Sequence, residues 1–453
     1  MTKKMQPTLL LLLMLACFAK QSFSQGILDH YIKQGLDSNL AIRQQSFDLE
    51  KAKLDLGRAK ALFLPQVGIN AQYTLANGGR KIDVPLGDLL NNVYSSLNDI
   101  TSSTKFPQVQ NQSIQFLPNN FHDTKVELSV PLYNPSLGYN RKIKEELINT
   151  NQLALSQYKR ELVFNIRQAY FQYLQSLKAV AVYNNALATV QENLRLNEKL
   201  VKNNAATKEV VLKAKAEVSK VETSLTEATQ NSSNAAAYFN FLLNKPLQAA
   251  IDIDSSIINA LQQEVPVSLD VPENREELQQ LKSTAKVIET TLKLTDTYKL
   301  PTLSGFYNIG YQGFGYKFNN EQFYQLGGLQ LRWNLFSGYD NKLKTKQAQL
   351  DRDAIQNQYN DAEKKMLLQL TTTYNNYQAS LKALRSSADE VTSTKEVYRL
   401  MQSRYIQGSA LLIELIDART AMTNAEIKHS LAQLAVLNKA AELERVMATY
   451  KLD

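Results

Sequence analysis

The 453-residue chain carries 51 Lys and Arg against 43 Asp and Glu, a formal charge of +8. That excess is mild, and the two signs are interleaved, which describes solvated helix faces and argues against a nucleic-acid groove. One cysteine and three histidines exclude a disulfide framework and a Cys/His metal set.

Lys3 and Lys4, the apolar run 9–18 and the small residues Ser22 and Ser24 form a secretory leader over residues 1–24, cut before Gln25. A lipoprotein reading, Met14-Leu15-Ala16-Cys17, fits less well because Met is a poor first residue there. Cleavage removes Lys3, Lys4 and Lys20, lowering the charge to +5, and removes Cys17. No later apolar run is long enough for a transmembrane helix. An exported chain of this kind is secreted, periplasmic, or a β-barrel in an outer membrane.

Residues 39–64 read as a helix that ends at Pro65, because the residue before a proline is pushed out of the helical region. Residues 66–75 then alternate, with Val67, Ile69, Ala71 and Tyr73 on one face and Gly68, Asn70 and Gln72 on the other. The long segment 76–123 is rich in Gly, Pro, Asn and Ser, holds one short helical stretch at 86–100, and reads as an exposed loop. Residues 125–132 alternate again. From Tyr139 to Lys245 there is neither Gly nor Pro, so two long coiled-coil-like helices are expected with a break at Asn203-Asn204. At about 1.5 Å per residue, the first would be on the order of 95 Å long. Residues 246–273, with Pro246, Pro266 and Pro272, form a linker.

The pattern then repeats. Residues 275–300 align without a gap on 39–64, and Leu64-Pro65 returns as Leu300-Pro301. Segments 302–311 and 329–335 alternate as strands, joined by a short aromatic loop at 312–325. Tyr170, Tyr173 and Leu177-Lys178-Ala179 return as Tyr374, Tyr377 and Leu381-Lys382-Ala383, and Asn204 returns as Gly408. The chain is an internal duplication, with repeats at 25–245 and 274–453.

Clean period two over eight to ten residues describes a strand between two different solvents. Lys125, Glu127 and Arg332 on the polar face suit water. Tyr73, Tyr133, Tyr307, Tyr311, Tyr324, Trp333 and Phe336 fall near strand ends on the apolar face, as the girdles of a membrane barrel would. Four strands cannot close a barrel, and open edges in lipid leave backbone groups unpaired at several kcal/mol each. The strands must then be shared between protomers: two would supply eight and three would supply twelve, and hydrogen-bond accounting prefers neither.

This duplicated order resembles the TolC-like outer-membrane efflux proteins. The most similar stretch is 405–418, from Tyr405 through Gly408 and Ser409 to Glu414, Asp417 and Ala418. The resemblance implies an α+β membrane protein, a homotrimer whose twelve strands form one β-barrel in outer-membrane lipid and whose helices continue it as a periplasmic α-barrel. It implies a passive duct for tripartite efflux or type I secretion that meets a periplasmic adaptor and an inner-membrane transporter through the tip turns at Asn204, Gly408 and Ser409. By the same resemblance Glu414 and Asp417 ring the periplasmic aperture, three apart on one helix face, and Tyr405 is a gating link. Ala410 and Val210 stand where some members carry a linking Arg and Asp, so part of that lock is missing. Tyr73, Tyr133, Trp333 and Phe336 would mark the membrane boundary. No enzyme, cofactor, metal or nucleic-acid role is expected: His30, His122 and His429 are scattered, and His429 reads as a surface residue. The alternative is a periplasmic coiled-coil scaffold or adaptor with a small β-domain.

Overall fold

A computed structural model describes residues 26–253, 257 and 273–452. The predicted leader, Cys17 and most of the 246–273 linker therefore lie outside the described residues. In chain order the elements are α1 (Ile27–Ser38), α2 (Leu40–Ala61), β1 (Gln66–Thr74), β2 (Lys81–Val84), α3 (Leu86–Thr101), β3 (Gln112–Gln115), β4 (Phe121–Tyr133), α4 (Pro135–Lys202), α5 (Lys208–Leu242), α6 (Glu276–Asp296), β5 (Thr302–Phe314), β6 (Phe323–Arg332), α7 (Asp340–Ile406) and α8 (Leu412–Met447). No described helix is long and apolar enough to cross a membrane.

The chain forms two compact units, and it passes between them inside α2, α4, α6 and α7. The helical unit comprises the described parts of 26–51, 147–285 and 353–452. Its largest core joins Tyr31 and Ile32 of α1 to Leu162, Ile166 and Tyr170 of α4 and to Phe239 of α5. Gly35 sits where a Cβ would come within 2.3 Å of Ile166 Cδ1, so a side chain there would force the buried Ile166 to shift. Tyr170 donates its hydroxyl to the Asp252 carbonyl at 2.9 Å, and Asn240 donates to the Leu247 and Ala249 carbonyls, which ties down the chain leaving α5. Smaller cores lie between α7 and α8, around Leu370, Tyr377 and Leu443, and then around Tyr398, Leu415 and Met422.

The strand unit comprises 52–146 and 286–352. It holds a four-stranded antiparallel sheet in the order β1-β4-β5-β6 and a small hairpin of β2 with β3. The register puts Ile69, Val126 and Ile309 side by side across β1, β4 and β5, and likewise Val67, Leu128 and Tyr307. Leu329 and Leu331 continue that face on β6, opposite Gly305 and Leu303. The other face carries Asn70, Lys125 and Gly310 in one row and Gly68, Glu127 and Asn308 in the next. The apolar face is open, with Ile69 80 % and Val67 69 % exposed.

Several strand expectations need correction. β4 begins at Phe121, inside the expected loop 76–123. β5 runs on to Phe314 and β6 begins at Phe323, inside the expected loop 312–325, because backbone pairing continues past the clean alternation. The last strand is Phe323–Arg332 rather than 329–335: Trp333 and Leu335 lie beyond it, because the apolar alternation runs on past the residues that pair with β5. Tyr324 sits opposite Gly310 on the polar face, where its hydroxyl donates to Asp123 Oδ1 at 2.9 Å. Tyr307 is mid-strand, not at a strand end, and donates to Gln325 Oε1 at 2.7 Å. The face of Tyr324 is set by the β5–β6 register, which begins at Phe323, and Tyr307 is mid-strand because β5 runs from Thr302 to Phe314.

Candidate functional site: a two-faced sheet and the helix tips

In the strand unit, the polar face is organised around Lys125, whose ammonium lies 3.1 Å from Asp123 and 3.2 Å from Glu127. The apolar face ends in aromatic clusters. Beside the insert that follows β1, Tyr73 donates to Asn120 Oδ1 at 2.6 Å and meets the Tyr316 ring edge-on. His122 is fully buried there between Tyr316 and Phe318. Its Nε2 lies 3.1 Å from the Lys317 carbonyl and 2.8 Å from Gln322 Oε1, two acceptors, so Nε2 carries the proton. At the other end Tyr133 closes β4, Trp333 donates to the Lys299 carbonyl at 3.2 Å, and Phe336 packs edge-on against Tyr339. Tyr73, Tyr133, Trp333 and Phe336 are all exposed. Aromatic rings at both ends of an open apolar face, with a charged face behind it, form the pattern of a barrel wall.

In the helical unit, the two tip turns are built alike. Asn204 and Gly408 both adopt left-handed backbone, at φ 56° and 75°. At the first turn Ala205 N donates to Leu200 O and Asn204 N to Val201 O; at the second Ser409 N donates to Arg404 O and Gly408 N to Tyr405 O. These are matching Schellman closures. Ser409 adds a hydroxyl bond to the Arg404 carbonyl at 3.0 Å.

Glu414 and Asp417 are both exposed on the first turns of α8. Glu414 folds back, its carboxylate accepting from the Leu411 amide at 2.7 Å while its own amide donates to the Leu411 carbonyl. It thus serves as half of a capping box and places negative charge where the helix dipole favours it.

Tyr405 is not brought to these acids. Its hydroxyl donates to Oδ1 of Asn197, a fully buried residue of α4. Burial holds the Tyr405 phenol above its ordinary value, the Asn197 bond opposing. Nearby, the Arg419 guanidinium lies over the Tyr398 ring, 5.6 Å from its centroid, and is 5 % exposed. Arg419 Nε and Nη2 have no hydrogen-bond partner; burial raises the Tyr398 phenol, with Arg419 and Asn193 opposing, and lowers the Arg419 guanidinium. Asn197, Tyr398 and Arg419 were missed by the sequence reading. The available signal was Asn193 and Asn197, four apart on a helix face otherwise filled by apolar residues, where a polar residue usually specifies register. His429, expected on the surface, is half-buried: Ser387 Oγ lies 2.9 Å from its Nδ1, because α7 passes close there.

Residues 270–449 match the family described as Outer membrane efflux protein. The resemblance to TolC-like outer-membrane efflux proteins holds. The outer membrane protein TolC of Escherichia coli (strain K12) is 22 % identical over 469 residues, covering 99 % of this chain and 87 % of that protein. The outer-membrane channel OprN superposes with a TM-score of 0.73 at 15 % identity, over 93 % of this chain and 89 % of its own. VceC from Vibrio cholerae superposes at 0.72 and 15 % identity, over 93 % and 95 %. At such identities the structures establish the TolC-like fold.

Proposed function

We propose that the chain is one third of an outer-membrane exit duct: a homotrimer whose twelve strands close a β-barrel and whose helices extend it into the periplasm. It resides in the outer membrane. The observation that carries this reading is the four-stranded sheet, with an in-register apolar face and two outer strands, β1 and β6, to which no further described strand pairs. β4 and β5, 13 residues each, are long enough to cross a bilayer when tilted. Backbone groups along β1 and β6 would cost several kcal/mol each in lipid unless neighbouring copies supplied partners.

The duct performs no covalent chemistry. Substrate enters at the helix tips around Asn204, Gly408 and Ser409, where a periplasmic adaptor bound to an inner-membrane transporter docks. It passes rings of Glu414 and Asp417 when docking spreads the helices. Three like carboxylates in each ring attract cations and repel one another. The equivalence of the two tip turns supports this reading, since an adaptor then meets similar knobs around the whole circumference.

Reconstitution in planar bilayers tests the duct. Detergent-extracted protein is expected to give discrete cation-selective channels. Protein that fractionates without detergent and conducts nothing would replace the duct with the scaffold reading.

A further inference from the structure

The insert between β1 and β4 is a small structure in its own right. Its helix α3 is bound along one side by the returning segment 103–111. Asn91 grips Val109 through both backbone groups, at 2.9 and 2.8 Å, and Asn98 grips Phe106 likewise, at 2.8 and 3.1 Å. Asn111 Oδ1 accepts from the Gly87 and Asp88 amides and so caps the helix from across the strap. The strap runs so close that a Cβ on Gly87 would lie 2.6 Å from the Val109 carbonyl. A 16-residue helix is marginal alone; these bonds hold it in place.

Along the helix runs an apolar seam that is only partly covered, with Leu86, Leu90 and Leu97 half-buried. Leu86, Leu90, Val93, Leu97 and Ile100 are spaced four, three, four and three, which is a heptad with Leu90 and Leu97 at a and Leu86, Val93 and Ile100 at d. Val93 is 52 % exposed and Ile100 80 %. Leu at a with β-branched residues at d favours more than two strands. The flanking positions are Leu89 and Ser96 on one side and Tyr94 and Thr101 on the other, so identical helices would meet no like charge there. Both acids of the helix, Asp88 and Asp99, lie off the seam at f and c.

We propose that α3 is a self-association element: three copies, one from each protomer, join through this seam as a short three-helix cap over the mouth of the barrel. The inference rests on the trimeric duct reading. The insert leaves the sheet directly from β1, an outer strand that faces a neighbouring copy in that reading. Twelve strands spaced about 4.8 Å apart and tilted about 40° enclose a barrel on the order of 12 Å in radius. Residues 75–80 and the β2–β3 hairpin carry the helix beyond the end of β1, at the barrel mouth in that reading.

The test is position-specific cross-linking in isolated outer membranes. The one native cysteine, Cys17, falls in the predicted leader, so Val93→Cys and Ile100→Cys each introduce a single thiol into the mature chain. With a short bifunctional maleimide, both variants are expected to link chains in at least half of the protein, and Asp99→Cys, off the seam, at least five-fold less. Native mass of the same samples is read in parallel. Trimers in which neither seam variant links would overturn the cap while leaving the duct intact. Protection of the seam thiols by lipid alone would likewise overturn it. Absence of trimers would overturn the shared barrel, and the cap with it.

Discussion

The hydroxyl of Tyr405, at the end of α7, donates to the side-chain oxygen of Asn197, buried on α4, so the two long helical hairpins are tied together near their tips within one chain. The bond joins the first repeat to the second beside the cluster of Tyr398, Leu415, Ala418 and Met422. Tyr405→Phe keeps the ring and leaves the Asn197 oxygen without its donor, a loss of about 1–3 kcal/mol. The expected result is a lower melting temperature together with more frequent channel opening in bilayer recordings. Unchanged opening would make this bond structural packing with no part in gating.

The helical unit is predicted to lose stability in alkali. Burial holds Tyr31, Tyr158, Tyr398, Tyr405 and Tyr450 above the ordinary phenol value of 10.0. Folded phenols keep their protons at a pH where unfolded ones release them, so this contribution is complete below pH 10.0 and falls as pH rises through the folded values. Thermal melts between pH 8 and 12 should be flat at first and then decline. Tyr398→Phe should soften the decline, and an unaltered slope would show that this phenol is not the group responsible.

Glu414 and Asp417 should be separable into two roles. Glu414→Gln retains an acceptor for the Leu411 amide and sacrifices only charge at the helix start, about 0.3–1 kcal/mol. The pair Glu414→Gln with Asp417→Asn is therefore expected to leave folding nearly intact while bringing the cation-to-anion permeability ratio down toward one. A reversal potential identical to that of the native channel would remove both residues from the constriction.

Arg160 of α4 and Glu276, at the start of α6, form a largely buried pair, with three hydrogen bonds of 2.6 to 3.0 Å and side chains 13 % and 9 % exposed. Arg160 also donates to the Tyr450 carbonyl, which fixes the chain after α8. Arg160→Met strands a buried carboxylate and should cost roughly 3–5 kcal/mol in denaturant unfolding. Adding Glu276→Met should recover most of it. A single variant as stable as the native chain would mean that the pair relaxes into solvent.

Much of this architecture is legible in the sequence because period two, period 3.6 and proline placement are local signals. The Leu-Pro boundaries, the short helix inside the first loop and the left-handed turn at Asn204 all follow from residues next to one another. What resisted reading is set by distant partners. The duplicated motif pairs Tyr170 with Tyr374 and Tyr173 with Tyr377, yet the first repeat fully buries Tyr170, under α1 and α5, whereas the second buries Tyr377, under α8. The same residues meet different neighbours, and repetition cannot say which. Likewise β2 and β3 are only four residues each, too short for alternation to mark them in a polar loop. Nor does anything local mark Arg419 as buried: that depends on Tyr398 of another helix, whose ring lies under its guanidinium.

The central claim is that this sheet is a third of a barrel. Its most direct test is the subunit count of protein extracted by detergent from the outer-membrane fraction, measured by native mass. A trimer is predicted, bringing β1 of each copy beside β6 of the next. A monomer recovered from the soluble periplasmic fraction would contradict it, because the apolar face of Val67, Ile69 and Leu329 would then have to be covered by something other than lipid.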